Sequence, residues 1–547
     1  MTQLPKRPLR CLAASLLAAL LVAGCAVQPA TDGSATASPT DAGLPEAPSG
    51  QGDQGADGPH AAPDRAPAPW SVTDSADGRS SVIDVDFGNV TAGSYAAPAR
   101  GQVITPKEAD AATPLVVVSH LRAPNCADGT LAYPCPEGVA ENRYDHGMGY
   151  LGEALAAAGY TVIVPDLGGL FIGADTAAPY DQKQMWREVV GRFVQELTAP
   201  AAAQGLGVEL PAGVDTQNVG LVVHSRSGQV VAPAQELFGA AALKAVLAYG
   251  PAYDTVELSE ISPAPADVPY LAVVGEADAD VGASANLWLG HYLNQPRQHP
   301  AAVATVPGLG HMYVNRTASS AGTDDRLGCD ERDCPDAAAH ERLLAAVALD
   351  WLAANLQGAQ TALPRHSDQP LPTTLADLPV RWLAATPGAL AWVDAAQFTA
   401  SGTDSALLCT HADPMDPEPP ADACPEPDSG VVQVLTTVNR LTDATASVEV
   451  SGARGMALHV SPSGTYPGPG SALTVTLGLA DGGEYVQVVE ATDPALRNRA
   501  TQADNGVYQL GTVRLELPER VTATTVTSVR VQALDHPVEL RGVDFRG

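Results

Sequence analysis

Lysine is almost missing from this 547-residue chain, occurring only at Lys6, Lys107, Lys183 and Lys244. Basic residues total 30 against 62 acidic ones, a formal charge of −32. Phosphate binding needs clustered Lys and Arg to displace counterions, so this balance argues against nucleic acid as a partner. The same deficit argues against electrostatic adhesion to an anionic membrane surface. Beyond the N-terminal segment there is no further apolar span, which excludes a polytopic membrane protein. No C-x2-C spacing occurs either, which argues against zinc. Apolar residues are plentiful: 45% of the chain is hydrophobic, enough for real cores, and the length implies more than one domain.

The first residues read as an export signal. Lys6, Arg7 and Arg10 form a positive n-region, and Leu12 to Ala23 an apolar h-region too short to span a bilayer. Leu21-Val22-Ala23-Gly24-Cys25 resembles the bacterial lipobox, in which a lipidated Cys25 becomes the new N-terminus. The expectation is an extracytoplasmic protein, lipid-anchored to the bacterial cell membrane; the alternative is an ordinary secretory signal cleaved near Ala26. From residue 25 to about 70 the chain is Ala, Pro, Gly, Asp, Ser and Thr, which cannot bury enough surface to offset its conformational entropy. It is expected to be a disordered tether.

Outside the signal, six cysteines remain, an even number that suggests disulfides in an exported chain. Neighbours share Pro- or acid-rich loops, which favours Cys126–Cys135, Cys329–Cys334 and Cys409–Cys424 among the possible pairings. Closing a loop of ~15 residues, as in the last pair, contributes about 3 kcal/mol in the chain-entropy model.

Between residues 71 and 360, apolar runs of strand length alternate with longer amphipathic segments. LVVVS (115–119), YTVIV (160–164), VGLVV (219–223), AVLAY (245–249), YLAVV (270–274) and AVATV (302–306) are continuously hydrophobic, as strands covered on both faces must be. Segments 149–158, 180–197, 228–243, 285–294 and 337–356 read as helices. This alternation predicts a doubly wound α/β fold with a mostly parallel sheet. Residues 82–87 and 101–104 suggest a leading antiparallel hairpin.

Three motifs sit at the C-terminal ends of these strands, where open α/β sheets place their sites. VGLVV runs into His224-Ser225-Arg226-Ser227-Gly228 and then a helix, a turn that projects one side chain above the sheet. YLAVV is followed by Gly275-Glu276-Ala277-Asp278-Ala279-Asp280, and AVATV by Gly308-Leu309-Gly310-His311. A serine is a poor nucleophile without a base, and the base needs an orienting carboxylate. The order Ser225, Asp278, His311, with Asp280 as the alternative acid, resembles that of the serine α/β-hydrolases, and the turn around Ser225 resembles their nucleophile elbow. Val223 and Ser227 stand where that family has glycine.

The resemblance covers about half the chain and implies two oxyanion donors: the N–H of Arg226, directly after the nucleophile, and that of Arg122, in the loop Ser119-His120-Leu121-Arg122. Leu121 replaces the family's glycine in that loop. Only about 20 residues separate AVLAY from YLAVV, leaving no room for a large cap, so the capless cutinase, chlorophyllase and dienelactone hydrolase types are the nearest look. Dienelactone hydrolases use cysteine as nucleophile, and Ser225 departs from that. No cofactor or metal is implied; the acidic run from Asp324 to Asp333 reads as a solvated loop rather than a calcium site.

Residues 361–376 are Pro-rich and linker-like, and beyond them the hydrophobic period changes to two. Segments 447–450, 457–460, 473–477, 485–489, 507–517, 525–531 and 538–543 read as short strands, suggesting a β-sandwich over 377–547 that resembles galactose-binding jelly rolls. Such a domain serves either as packing or as a glycan- or polymer-binding module, and the Pro-rich connection suggests semi-independence. The function expected from the whole is a secreted, lipid-anchored serine hydrolase of carboxylic esters. Alternatives are an acyltransferase or peptidase using the same triad, or a non-catalytic surface-binding protein on a hydrolase scaffold.

Overall fold

The computed structural model describes residues 66–93, 95–172, 181–199, 206, 210–252, 267–282, 284–322, 325–326, 329, 333–400, 405–410, 436–462, 470–497 and 509–547. The export signal, Cys25 and residues 26–65 lie outside them; the tether expected to reach residue 70 ends sooner, because the chain is already paired as a strand from Ala68.

Strands β1 (Ala68–Asp74), β2 (Ser80–Ala92), β3 (Tyr95–Pro106), β4 (Thr113–Ser119), β5 (Thr161–Pro165), β6 (Val214–His224), β7 (Leu243–Tyr249), β8 (Tyr270–Gly275) and β9 (Ala301–Val306) belong to one sheet. Its strand order runs β1-β2-β3-β5-β4-β6-β7-β8-β9 and ends on a tenth strand described below. The six strands from β5 to β9 pair in parallel, while β1 to β3 add antiparallel at one edge. The expected leading hairpin is present, with Val82 opposite Ile104 and Val85 opposite Gly101.

Helices α1 (Tyr144–Gly147), α2 (Gly149–Ala157), α3 (Gly168–Ile172), α4 (Gln182–Thr198), α5 (Val231–Phe238), α6 (Ser284–Tyr292), α7 (Arg316–Ser320) and α8 (Ala337–Leu356) accompany the sheet. Alternate side chains of a strand point to opposite faces, and the two apolar clusters divide on that rule. Leu115, Val117, Leu221 and Val223 pack with Trp186, Val189 and Phe193 of α4 and with Val231 and Ala234 of α5. Val116, Val118 and Val222 pack with Leu151 and Leu155 of α2 and with Leu343, Leu344 and Trp351 of α8. Coverage of both faces is why these strands read as unbroken apolar runs.

Past the Pro-rich connection, a short hairpin of β10 (Thr374–Leu375) and β11 (Leu378–Pro379) leads into β12 (Arg381–Ala384). This strand returns to the first sheet and pairs antiparallel with β9, Arg381 opposite Thr305 and Ala384 opposite Ala302. The connection therefore does not release an independent module: β12 covers an edge of β9 that would otherwise be bare.

The rest is antiparallel. One six-stranded sheet holds β13 (Ala391–Asp394), β15 (Ser405–Thr410), β16 (Thr436–Leu441), β18 (Gly455–Pro462), β21 (Gly511–Glu516) and β23 (Val538–Arg546). A five-stranded sheet holds β14 (Thr399–Ala400), β17 (Asp443–Ser451), β19 (Leu473–Leu479), β20 (Glu484–Val489) and β22 (Thr525–Ala533). Leu458, Val460, Val543 and Phe545 of the first share an apolar cluster with Val475, Leu477, Val529 and Val531 of the second.

The antiparallel region grips the α/β half through polar contacts at several points. The buried Arg381 guanidinium donates to the carbonyls of Pro494, Gln509 and Arg497. Arg541 donates to the carbonyls of Gly290 and His291 in α6, and Asn286 of α6 donates to Leu510 O at 3.0 Å. The Ala384 N–H donates at 2.9 Å to Thr512 Oγ1, which lies 3.0 Å from His459 Nδ1 in the buried His459–Asp544 pair.

Two of the expected disulfides form, Cys126–Cys135 and Cys329–Cys334; Cys424 of the third pair is outside the described residues. Among the described residues no helix is long and apolar enough to cross a membrane. The disulfides are compatible with an extracytoplasmic protein.

Candidate active site

The apolar strand β6 ends at His224, and the chain then turns through a 3-10 segment, Ser225–Val230, into α5. Ser225 carries the strain of this turn, with φ +58°, in the left-handed region that L side chains avoid. A serine held this way at a strand–helix junction is the geometry of a nucleophile elbow. The two departures from glycine are accommodated. Val223 points into the apolar cluster beneath α4 and α5. Ser227 is buried and its Oγ donates to His120 O at 2.6 Å, tying the elbow to the loop after β4.

His120 is itself buried, its Nδ1 2.7 Å from Leu121 O and its Nε2 accepting from the Leu167 N–H at 2.7 Å. These bonds hold the loop carrying Leu121 and Arg122. Arg122 and Arg226 are both half-buried. Burial and the Arg226 guanidinium push Arg122 below its usual pKa, and Asp280 opposes them. The two arginines and Asp280 thus share one neighbourhood.

The structure brings Asp278 and His311 together. Asp278 Oδ2 lies 2.9 Å from His311 Nδ1, and both side chains are buried. Asp278 Oδ1 accepts the N–H groups of Asp280 and Val281, each at 2.9 Å, which fixes the carboxylate. Burial would raise the Asp278 pKa, but His311 and these hydrogen bonds hold it below the ordinary value. Asp280 takes a different position: its Oδ2 lies 3.4 Å from the other ring nitrogen, Nε2, and its side chain is 46% exposed. His311 Nε2 is buried and makes no hydrogen bond among the described residues.

Burial by itself would lower the His311 pKa; the carboxylates of Asp278, Asp280 and Asp325 outweigh it and push it up to about 9. His224 packs its ring 4.9 Å from the His311 ring, and its Nε2 lies 3.1 Å from His311 O. Burial, then the charge of His311, drives His224 well below its ordinary pKa. Gly250 (φ +45°) lets the chain after β7 pass: a Cβ there would stand 2.7 Å from His311 Nδ1 and 3.1 Å from Asp278 Oδ2.

Several contributors were not foreseen from the sequence. Ser227 read only as a missing glycine, and Asp325 as part of a solvated acidic run. The signal for Asp325 is its place just after the His311 loop and just before Cys329. Among the described residues one trio, Asp84, Asp145 and His146, could hold a metal ion. Arg143 already donates to both carboxylates, at 3.0 and 2.6 Å, and so supplies the positive charge there.

Residues 144–355 match the family model "Dienelactone hydrolase family". The α/β-hydrolase resemblance read from the motifs is borne out over that stretch. Among solved structures, one described as a dienelactone hydrolase from Klebsiella pneumoniae is 17% identical, with 50% of this chain and 98% of that chain covered and a TM-score of 0.29. The acylaminoacyl peptidase of Pyrococcus horikoshii is 11% identical, with 54% of this chain and 43% of that chain covered and a TM-score of 0.30. One described as an alpha/beta hydrolase from Agrobacterium tumefaciens is 14% identical, with 53% and 97% covered and a TM-score of 0.28. No curated protein matches.

Proposed function

From this α/β-hydrolase frame, we propose that the chain is a serine hydrolase of carboxylic esters that works through an acyl-enzyme. Ser225 Oγ attacks the ester carbonyl while His311 Nε2 takes its proton, and Asp278 holds the imidazole through Nδ1. The N–H groups of Arg226 and Arg122 receive the developing oxyanion. The collapsing tetrahedral intermediate takes the proton from His311 as the alcohol leaves, and water repeats the sequence to release the acid. The observation that supports this reading is the buried Asp278–His311 pair at 2.9 Å, together with a strained elbow serine, φ +58°, whose chain neighbour His224 packs its ring 4.9 Å from that of His311. Catalytic serines in such elbows react with fluorophosphonates, so labelling of the folded protein that disappears in Ser225→Ala is the test. Absence of labelling alongside an active control hydrolase would leave the scaffold a binding protein.

The rest of the proposal concerns setting. Residues 1–24 are a signal peptide, Cys25 is the lipidated N-terminus and the stretch up to β1 at Ala68 is a tether holding the catalytic domain away from the membrane. The connection leads through β12, which joins the parallel sheet, to a β-sandwich that begins with β13 at Ala391. The shared apolar cluster of the two antiparallel sheets supports the sandwich.

A further inference from the structure

Beside the base stands a half-buried carboxylate, Asp325, that takes no part in the scheme above. Asp325 Oδ2 accepts the N–H of His311 and, at 3.1 Å, that of Met312. The Asp325 carbonyl accepts the N–H of Ala279 at 3.1 Å. The next residue, Arg326, forms an antiparallel bridge with Asp278, donates to Pro335 O and lies 4.6 Å over the Tyr313 ring. Two consecutive residues therefore touch the loop of the acid and the loop of the base at once. The Cys329–Cys334 disulfide closes this segment on its far side, with Cys334 Sγ against Gly308.

A solvated acidic loop would not look like this. Asp325 Oδ1 is buried and makes no hydrogen bond among the described residues, and burial raises the carboxyl's pKa. Holding a charge under those conditions is unfavourable unless something is gained. The gain available is control of His311, whose backbone N–H this carboxylate holds.

We infer that Asp325 is a positioning residue: it fixes the His311 backbone against the Asp278 loop and sets a carboxylate beside the base. The inference rests on the Ser225–His311–Asp278 reading above. The other groups facing His311 are Asp278 at Nδ1, Asp280 beside Nε2, the neutral His224 ring and Tyr249, whose hydroxyl donates to Gly310 O at 2.7 Å.

Two substitutions separate charge from scaffolding. Asp325→Asn keeps an acceptor oxygen and removes the charge, so the acid limb of kcat/KM should move to lower pH by on the order of one unit, with kcat on the alkaline plateau kept within about threefold. Asp325→Ala removes both, and kcat should fall at least about tenfold with little change in KM. An acid limb that stays at the wild-type position in Asp325→Asn overturns the inference, as does full retention of kcat in Asp325→Ala. Should the alanine variant fail to fold, the asparagine profile decides alone. Failure of the underlying reading shows separately, because the wild-type protein would then not be labelled at Ser225 by a fluorophosphonate.

Discussion

His311 meets the carboxylate of Asp280 from the side opposite its hydrogen bond to Asp278: Asp280 Oδ2 stands 3.4 Å from Nε2, the nitrogen that takes the serine proton in the proposed scheme. In the resting protein this carboxylate favours the imidazolium, and a general base must be neutral. The sign follows. With the His311 pKa pushed up to about 9, the rate should rise with pH from neutrality toward that value. Asp280→Asn should move the rise to lower pH and leave the alkaline plateau in place. A pH–rate profile in both proteins checks this, and identical profiles would show that Asp280 does not govern the base.

Replacing Ser225 should separate activity from stability. Ser225→Ala should lower ester turnover by at least ~10³-fold, the scale of triad deletions. Ser225→Gly should be as inactive, yet more stable by about 1 kcal/mol, because glycine enters the left-handed region without Cβ strain. Chemical denaturation of the three proteins measures the difference. A glycine variant less stable than wild type would mean that the elbow stores no strain.

The Ser227 hydroxyl is expected to matter although it touches no substrate. Ser227→Ala leaves the buried His120 carbonyl without this donor, which should destabilise the protein by about 1–3 kcal/mol. Because that carbonyl begins the loop carrying Arg122, kcat should fall roughly tenfold with KM little changed. Steady-state kinetics at saturating substrate is the readout; an unaltered kcat would separate the loop from the oxyanion.

Arg381 offers the sharpest view of the join between the two halves. Its guanidinium is buried and serves three carbonyls between residues 494 and 509. Arg381→Ala should destabilise the whole chain by about 3 kcal/mol or more, since several buried acceptors lose a charged donor together. Ending the chain at residue 376 goes further, removing β12 from the edge of β9 and the partners of α6, and should yield aggregation or loss of small-ester turnover. A soluble truncated protein with normal turnover would show that the antiparallel region is a separable binding module.

The parallel strands were legible because burial on both faces writes itself into a local apolar run, as in LVVVS and YTVIV. The Asp278–His311 pair and the turn at Ser225 were legible because each residue follows such a run within a few positions. Strand β12 was not: RWLA is four residues long, follows Pro379, and has no signal of its own until β9 supplies a partner. The carbonyls that hold Arg381 lie over a hundred residues further along the chain. Asp325 was hidden differently. An acidic stretch reads as solvent-facing unless the fold turns one carboxylate inward, and no periodicity records that turn. The Pro-rich stretch suggested independence because linker composition says how a segment bends, not where the next strand docks.

The placement of β12 also sets an order of events. Strand β9 ends at Val306, but its outer partner begins only at Arg381, after α8 and the whole connection have been made. A chain emerging N-terminus first, from a ribosome or through a translocation channel, would present the strand leading to His311 with one side open until those later residues arrive. During that interval the open strand could pair with another chain. Completion of the parallel sheet is then timed by sequence that lies beyond it, and shortening the connection between α8 and β12 would change when that sheet closes rather than what it holds.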